Sequence, residues 1–247
     1  MMKIMTFNIQ HCAMYDDPDR RIDIHAFAKY IKSENPDILS LNEVRGPKDE
    51  SLWNGNTDDY NAPQARILAS LCEMNYYFAP AIEHTENGLY GSALLTKFRI
   101  GRSEIFPIPS PPKSERIFKR YENRCLLKSE IFCGSGKITV FVCHMGLNVQ
   151  ERLRAVETVC RELDRTEGKK ILMGDFNMSP DNELLVPIFE RLSDTAEKIC
   201  GNGLTYPSDR PEVKIDYVFV SKDFNILSAN IPERYISDHR VHTAQVE

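Results

Sequence analysis

The most informative stretch of this chain is Ile171-Leu172-Met173-Gly174-Asp175-Phe176-Asn177. Its apolar first half is typical of a buried β-strand that ends at the Gly-Asp pair. Residues two apart on an extended segment point to the same side, so Asp175 and Asn177 are predicted to project together while Phe176 turns inward. A carboxylate beside a carboxamide at such a strand end can polarise and orient a water next to a metal-bound phosphate. Because Gly-Asp also marks ordinary turns, this stretch alone leaves a catalytic site and a plain turn as alternatives.

Four further places join an apolar, β-branched run to a side chain that binds metals or moves protons. They are Thr6-Phe7-Asn8, Leu41-Asn42-Glu43-Val44, Cys143-His144-Met145-Gly146, and Ile215-Asp216-Tyr217 taken with Ser237-Asp238-His239. With the first stretch, and in this order, they resemble the endonuclease/exonuclease/phosphatase superfamily, the Mg²⁺-dependent phosphoesterases related to DNase I. The resemblance extends from residue 5 to residue 246, and residues 90–98 share it without carrying a catalytic side chain.

Strand and helix patterns alternate along the chain without internal repeats. Helical spacing predicts helices over residues 22–34, around 68–72, over 149–166 and around 182–192. Apolar runs predict strands near residues 3–9, 38–41, 75–81, 90–96, 98–106, 124–132, 137–143, 170–174, 214–220, 225–231 and 240–246. By itself this alternation fits a Rossmann-like sheet as well as two packed sheets. The resemblance implies the second, an α/β protein with a four-layer αββα sandwich: two mostly antiparallel sheets, helices outside and the motif residues at one edge. No linker divides residues 1–247, so we expect a single domain.

Composition excludes several classes of protein. The 247 residues are 42% hydrophobic, enough for a sizeable core, and no apolar run reaches the roughly 18 residues of a membrane span. The seven cysteines are scattered without a C-x-x-C pair, which favours buried thiols over disulfides or a zinc site. The first residues enter a strand directly and show no secretion signal. These features predict a reducing, cytoplasmic location.

Net charge bears on the substrate. Proteins that hold duplex DNA contact its phosphates through many Lys and Arg side chains, whereas this chain has a formal charge of −5 and a pI near 5.8. A local basic patch or bound Mg²⁺ can still serve a nuclease. The acidic balance nevertheless favours a small or terminal phosphate over extended nucleic acid, and no protein partner is predicted.

The resemblance implies a metal site built from Glu43, Asn8 and Asp238. The family's Glu at this place is a principal Mg²⁺ ligand, and Mg²⁺ binds one or two carboxylates together with waters and substrate oxygens. Mn²⁺ is expected to substitute. Without the resemblance, Glu43 is a surface carboxylate after a short strand, Asn8 is a turn former, and Asp238 belongs to an exposed strand entry.

The same resemblance implies the catalytic groups. Asp175 accepts a proton from the attacking water, which Asn177 helps to position, and His144 and His239 donate to phosphoryl oxygens. Asp216 lies inside an apolar strand and is costly to bury alone, so we expect it to pair with the ring of His239 and fix its tautomer. Without the resemblance, His144 is a core histidine. Whether Asp175 or a histidine is the general base, and whether one metal or two take part, stay open.

Two long polar loops interrupt the pattern. Residues 45–62 follow Glu43 and hold the only Trp, and they form either a functional loop or a surface insertion. Residues 107–120 and their continuation to Arg124 are the most basic stretch of the chain, which either contacts a substrate phosphate or is a stiff, proline-rich connection. The family often has a Glu and an Arg in this region, so Glu122 and Arg124 are the candidates for substrate binding.

The predicted function is a Mg²⁺-dependent phosphoesterase that cleaves a phosphodiester or phosphomonoester of a small or terminal group. The alternative function is a DNA or RNA nuclease of the same superfamily that uses the same chemistry. A third interpretation, a binding module without activity, is disfavoured because every expected catalytic position carries a usable residue type.

Overall fold

The computed structural model describes residues 1–85, 88–134 and 136–247. Its strands are β1 (Met2–Asn8), β2 (Ile38–Pro47), β3 (Asn75–Thr85), β4 (Gly88–Thr96), β5 (Arg99–Ile108), β6 (Arg124–Cys133), β7 (Gly136–His144), β8 (Lys170–Asp175), β9 (Leu192–Asp194), β10 (Asp216–Ser221), β11 (Ile226–Asn230) and β12 (His242–Val246). Its α-helices are α1 (Ile24–Glu34), α2 (Gln64–Cys72), α3 (Val149–Asp164) and α4 (Val186–Arg191).

Within these residues the strands form two mixed sheets of six strands each, in the orders β11-β12-β1-β2-β4-β3 and β5-β6-β7-β8-β10-β9. Each sheet has one parallel pair at its centre, β1 with β2 and β7 with β8, and the other neighbours run antiparallel. Parallel neighbours end at the same edge of a sheet. The predicted sandwich of two mostly antiparallel sheets with helices outside is confirmed.

Side-chain alternation gives each sheet two apolar faces. In β1, Ile4 packs between the sheets, whereas Met5 packs against α1 and α2. In β8, Ile171 and Met173 face the other sheet, and Leu172 packs against α3 and α4. The result is four layers: one helix pair, two sheets and the second helix pair. Burial on both faces explains why the central strands are continuous apolar runs.

The same alternation places polar side chains at the end of the core between the sheets. Each polar residue lies two positions beyond the last buried residue on the inner face of its strand. At the ends of their strands, Asn8 follows Ile4 and Thr6, His144 follows Val140 and Val142, and Asp175 follows Ile171 and Met173. At the start of β10, Asp216 precedes Val218 and Val220. Strands β1, β7 and β8 end at this edge, and the antiparallel β10 begins there. The four side chains therefore meet in the gap between the sheets.

The helices begin and end at residues suited to their caps. Asp23 caps α1 by accepting the backbone N–H of Ala26 at 2.8 Å, and Asn35 ends that helix in the left-handed region, at φ 51°, directly before a proline. A capping box of Asn148 and Glu151 begins α3. Within the described residues, no helix is long and apolar enough to cross a membrane.

The predicted helix over residues 182–192 is wrong in its extent. Glu183–Leu185 form a 3₁₀ turn, α4 covers only Val186–Arg191, and Leu192 begins β9, which pairs with β10 at the sheet edge. A strand of three residues is too short to show a periodic pattern in the sequence.

Both long loops are shorter than predicted because strands extend into them. β2 continues to Pro47 beyond a bulge and keeps its pairing with β4, and β5 continues to Ile108. At the base of the first loop, the guanidinium of Arg45 lies 3.4 Å from the centre of the Tyr60 ring. The loop is thus held against the end of the sheet.

The seven cysteines are free, which agrees with the prediction of thiols over disulfides. Cys12, Cys125, Cys143 and Cys160 are buried, whereas Cys72, also expected inside, is partly exposed at the end of α2. Burial raises the pKa of the Cys125 thiol to about 12, so it stays protonated and packs as a small apolar group.

His242 is a fully buried, neutral histidine at the start of β12. Its Nε2 lies 3.0 Å from Thr195 Oγ1, and that hydroxyl already donates to the carbonyl of Val218. The imidazole must therefore be the donor in this contact. Burial and the charge of Lys214 lower the pKa of His242 to about 4.

We expect His242 to make folding less stable in mild acid. The unfolded chain binds a proton on this ring near pH 6.5, whereas the folded chain binds it only near pH 4. The contribution of the neutral His242 to the free energy of unfolding is therefore complete above pH 6.5 and decreases as the pH falls toward 4. The loss should reach about 3 kcal/mol near the lower value. Urea denaturation across this range should show a shallower pH dependence for His242→Gln, whose amide can donate to the same hydroxyl. The exposed His25→Gln is the control, and equal slopes for wild type and His242→Gln would contradict the assignment.

Candidate active site

A cleft of about 400 Å³ lies at the edge where β1, β7 and β8 end and β10 begins. Eight of the ten residues predicted from the sequence line it: Glu43, Glu122, Arg124, His144, Asp175, Asn177, Asp238 and His239. The other two, Asn8 and Asp216, are fully buried and hydrogen-bonded to residues of the cleft. The fold therefore brings all ten together.

Asn8 connects two carboxylates at the end of β1. Its Oδ1 accepts the backbone N–H of Gln10 at 3.1 Å, so the amide nitrogen must be the atom on the other side. That nitrogen lies 3.1 Å from Glu43 Oε1 and 3.1 Å from Asp175 Oδ2. Asn8 thus orients both carboxylates, while its side-chain oxygen Oδ1 accepts the backbone N–H of Gln10.

A β-bulge presents Glu43 to the cleft. The pairing of β2 with β4 shifts between Leu41 and Val44, and Glu43 adopts a left-handed backbone conformation with φ 60°. The expectation that Glu43 follows the end of a short strand is therefore wrong, because β2 continues to Pro47. Burial raises the pKa of Glu43 against the opposing hydrogen bond from Asn8.

Asp175 is buried, and hydrogen bonds hold its carboxylate in one orientation. Its backbone N–H donates to Asn42 Oδ1 at 2.9 Å, its Oδ1 accepts the backbone N–H of Asn177 at 2.9 Å, and its Oδ2 accepts from Asn8. Burial raises the pKa of Asp175 to about 7, while the positive charge of His239 opposes the shift. A carboxylate with this pKa can take up a proton near neutral pH.

His239 and Asp216 form the predicted buried pair. Asp216 Oδ2 lies 2.9 Å from His239 Nδ1, and Nε2 of the same ring lies 3.8 Å from Asp175 Oδ2. Burial acts to lower the pKa of the imidazole, but the charges of Asp216 and Asp175 outweigh it and raise the pKa to about 10. The ring is therefore an imidazolium. The ring of Tyr206 packs against it, with centroids 4.8 Å apart.

His144 has the opposite charge state in the same cleft. Its Nε2 lies 3.6 Å from Asp175 Oδ2, and the ring is buried at the end of β7. Burial, together with the charges of Arg124 and His239, lowers the pKa of His144 well below its ordinary value. Both rings lie beside Asp175, and only His239 also has a buried aspartate on its other nitrogen. His144 is thus neutral where His239 is charged.

Asn177 does not continue the strand, so the expected extended segment through residue 177 is wrong. β8 ends at Asp175, whose Oδ1 captures the backbone N–H of Asn177, and the chain turns there with φ 51°. The side-chain amide of Asn177 donates to the carbonyl of Met145 at 2.9 Å and ties two loops together. Phe176 is fully buried against Tyr217, as expected.

Glu122 and Arg124 lie beside the same cleft, at the start of β6. Arg124 is buried, and its Nη1 lies 2.8 Å from Glu122 Oε2. Its Nε has no hydrogen-bond partner among the described residues. A fixed guanidinium with a free N–H is suited to an anionic group.

The oxygen ligands of the cleft fit a hard divalent cation. Glu43 and Asp238 both line it, and the charge of Asp238 adds to burial in raising the pKa of Glu43, a repulsion that a cation would remove. A second group, Asp175, Asp216 and His239, has ligand atoms within 4.8 Å of one another. It suits a metal less well, because the His239 ring is protonated and already bonded to Asp216.

Comparison with known proteins identifies the family. A model of the Endonuclease/Exonuclease/phosphatase family matches residues 5–239. The chain belongs to this family. A search of curated proteins finds no match.

Solved structures share the fold of this family member. An endonuclease/exonuclease/phosphatase family protein from Leptotrichia buccalis C-1013-b is 21% identical, with a TM-score of 0.76 over 100% of both chains. A mannosyl-6-phosphatase from Bacteroides thetaiotaomicron VPI-5482 is 15% identical, with a TM-score of 0.77 over 100% of both chains. The human Nocturnin catalytic domain, solved with a bound sulfate anion, is 18% identical, with a TM-score of 0.70 over 100% of this chain and 93% of that one. At these identities the likeness shows the fold alone.

Sequence reasoning missed the part that Asn42 plays beside this cleft. Its Nδ2 donates to Ser92 Oγ at 2.9 Å and to the carbonyl of Cys143 at 3.2 Å, and its Oδ1 accepts from Asp175. The amide thereby joins β2 of one sheet to β7 and β8 of the other. A fully buried amide is costly unless it is bonded, and its place in an apolar run was the available signal.

Two contacts to the carboxylates also had no sequence signal. Tyr90 lines the cleft, and the charge of Glu43 adds to burial in raising the pKa of the Tyr90 hydroxyl. Gln10 donates from Nε2 to Asp238 Oδ2 at 2.8 Å. Both contacts join residues far apart in the chain, so only the folded structure reveals them.

Proposed function

We propose that this protein is a Mg²⁺-dependent phosphoesterase, with Mn²⁺ able to replace Mg²⁺, that hydrolyses a phosphodiester or phosphomonoester of a small or terminal group. The observation that carries the proposal is one cleft in which Asp175, with a pKa raised by burial to about 7, lies beside the His239 imidazolium and shares Asn8 with Glu43. A proton acceptor, a charged donor and a hard-cation ligand are the groups that phosphoester hydrolysis needs. We propose a cytoplasmic location and a single domain.

Glu43 and Asp238 are the residues we assign to the metal. Asn8 orients Glu43 and Gln10 orients Asp238 through the hydrogen bonds described above. When bound, the ion supplies positive charge beside a non-bridging phosphate oxygen. Asn8 supports this site by orientation, because its carbonyl oxygen accepts from the backbone of Gln10.

Asp175 is the residue we assign as general base. Its carboxylate is held by Asn8 and by the backbone of Asn177, so a water bonded to it has a defined position. Asn177 uses its Nδ2 on the carbonyl of Met145, which leaves its Oδ1 for that water. We assign His239 as a donor and not as the base, because neighbouring carboxylates raise its pKa to about 10 and favour the protonated ring.

The two histidine donors lie beside the base in the same cleft. His239, oriented by Asp216, places a charged Nε2–H where negative charge develops on the phosphoryl oxygens, and the neutral His144 adds a second donor. Arg124, braced by Glu122 at 2.8 Å, is the proposed contact for a further substrate oxygen. These groups stabilise charge in the transition state, while Asp175 takes the proton of the attacking water.

A substrate panel with Mg²⁺ or Mn²⁺ tests the proposal. It comprises bis-p-nitrophenyl phosphate, p-nitrophenyl phosphate, a sugar phosphate, supercoiled plasmid and a single-stranded oligonucleotide. Mannose 6-phosphate is the sugar to use, since one protein of this fold is named a mannosyl-6-phosphatase. Hydrolysis of the small esters with plasmid left intact is the expected result. Plasmid nicking would favour the nuclease alternative, and inactivity on every substrate would contradict both.

Glu43→Gln should raise the Mg²⁺ concentration for half-maximal activity by roughly 100-fold or more, because a charged ligand becomes neutral. Its Oε1 can still accept from Asn8, so the site should keep its shape. Mg²⁺ titration of activity and calorimetric Mg²⁺ binding measure the change. Glu157→Gln, at an exposed position of α3, is the matched control. An unchanged Mg²⁺ dependence in Glu43→Gln would remove Glu43 from the metal site.

A further inference from the structure

Apolar side chains are exposed on two segments beside the cleft. Ile117 and Phe118, in the loop before β6, are 71% and 48% exposed, and Leu147, which lines the cleft, is 67% exposed. Val149 and Leu153, on the first turns of α3, are 45% and 43% exposed. These are five of the ten large apolar side chains exposed in the described part of the chain, and their concentration beside one cleft marks an interaction surface. We call the two segments, residues 113–121 and 147–153, the rim.

Hydrogen bonds join the two segments of the rim. Gln150 Nε2 donates to the carbonyl of Glu115 at 2.8 Å, and Asn148 Nδ2 donates to the carbonyl of Arg120 at 2.7 Å. The hydroxyl of Tyr121 bonds to the Gln150 side chain and accepts two backbone N–H groups of the loop. The loop is therefore fastened to the start of α3, and the rim presents its apolar side chains together.

The rim also carries cations that have no carboxylate partner. Lys113, Lys119 and Arg120 are exposed, and none forms an ion pair with another described residue. The carboxylates of this stretch, Glu115 and Glu122, are each paired with an arginine. The whole chain has a formal charge of −5, whereas the rim carries a net positive charge.

We propose that the rim docks on an anionic lipid bilayer and presents the cleft to phosphorylated headgroups, so that the substrate is a phosphoester of a membrane lipid. Apolar side chains flanked by cations match an interface with an apolar layer beneath a layer of negative charge. Single-stranded nucleic acid fits less well, because its bases stack on aromatic side chains and four of the five exposed residues are aliphatic. The substrate class rests on the phosphoesterase function proposed above, whereas the docking does not.

Vesicle co-sedimentation tests the contribution of charge. Wild-type protein should bind phosphatidylcholine vesicles that contain about one third phosphatidylserine more tightly than pure phosphatidylcholine vesicles. Lys119→Ala/Arg120→Ala should weaken this binding about 30-fold, because each cation near such a surface contributes about a factor of five. Lys29→Ala/Lys198→Ala, which removes two exposed cations from other elements, should bind as wild type does.

The apolar contribution is tested in the same way. Ile117→Ser/Phe118→Ser should weaken vesicle binding by at least about tenfold, because the two polar replacements gain nothing from inserting into the apolar layer of the bilayer. Val186→Ser/Leu227→Ser removes apolar side chains that are 50% and 40% exposed elsewhere, and it should leave binding unchanged. The proposal would be overturned if Ile117→Ser/Phe118→Ser bound vesicles as tightly as wild type. It would also be overturned if the wild-type protein did not bind anionic vesicles.

Activity measurements separate docking from catalysis. Both rim variants should hydrolyse soluble bis-p-nitrophenyl phosphate at the wild-type rate, which also shows that they are folded, and lose activity on phosphorylated lipid in vesicles. Asp175→Asn should bind vesicles normally and hydrolyse neither substrate. Vesicle binding without any ester hydrolysis by wild type would support docking and overturn the phosphoesterase function. Tighter binding to an oligonucleotide than to vesicles, or self-association through the rim, would overturn docking.

Discussion

Asp175→Asn should lower kcat by roughly 10²- to 10⁴-fold while the protein stays folded, because the amide cannot accept the proton of the attacking water. The substitution keeps the shape of the side chain. One of its two neighbours, Asn8 Nδ2 or the backbone N–H of Asn177, must then face an amide NH₂ in place of an acceptor. That mismatch costs about 1–3 kcal/mol, and removal of a buried carboxylate offsets part of it.

Steady-state kinetics on a soluble ester at saturating metal, together with a thermal melt, measures both effects. Asp164→Asn is the matched control: this aspartate is exposed on α3 and paired with Arg191 at 2.7 Å. It should keep wild-type kcat. If Asp175→Asn retained activity within about tenfold of wild type, another group would have to be the base.

Gly174→Ala should destabilise the fold by about 4 kcal/mol or more, the largest stability effect we expect from a single methyl group. Gly174 has φ +144°, a conformation that L side chains rarely adopt, and an added Cβ would lie 1.8 Å from the carbonyl oxygen of Cys143. That oxygen belongs to the neighbouring strand β7, whose pairing with β8 leaves it no room to move. Backbone strain and overpacking each contribute about 1–3 kcal/mol.

Thermal melts of Gly174→Ala and Gly201→Ala separate the effect of backbone strain from that of the steric clash. Gly201 has φ +127° and no atom within 4 Å of an added Cβ, so its variant bears the strain alone. We expect Gly174→Ala to melt about 10 °C or more below wild type and Gly201→Ala to lose much less. Similar losses in the two variants would mean that the contact with Cys143 is relieved by a shift of β7.

Asp175 and the other polar strand ends were predictable as candidate groups because each directly follows an apolar run, whereas their meeting at one edge was implied by the family resemblance. In the folded strands alternate residues face opposite sides, and the polar residue that ends each run continues the inner face. Asn8, His144 and Asp175 follow this rule in the structure. The pairing of Asp216 with His239 was predictable for a different reason, since a buried carboxylate needs a partner. The order of the motifs along the chain indicated the family.

Backbone exceptions within the motifs could not be predicted. The bulge that turns Glu43 into the cleft depends on the strand opposite, because β4 supplies one residue fewer between Val44 and Leu41. The turn at Asn177 forms where Asp175 Oδ1 accepts the backbone N–H of Asn177, and the side chain of Asn177 is then held by the carbonyl of Met145 in another loop. The extended conformation expected for residue 177 and the strand end expected before Glu43 were therefore both wrong.

The amino-acid sequence by itself determined most of the strands and helices and the residue types available for chemistry, because these follow from hydrophobic periodicity along each segment. The order of the motifs, through the family resemblance, implied the layered fold and the edge at which the polar side chains gather. Only the tertiary structure decided their charges. His144 and His239 are the same residue type at the same cleft, yet the pKa of one falls with burial and that of the other rises to about 10 beside Asp216 and Asp175. A pKa depends on burial and on charges brought from other strands, and both exist only once the two sheets have packed.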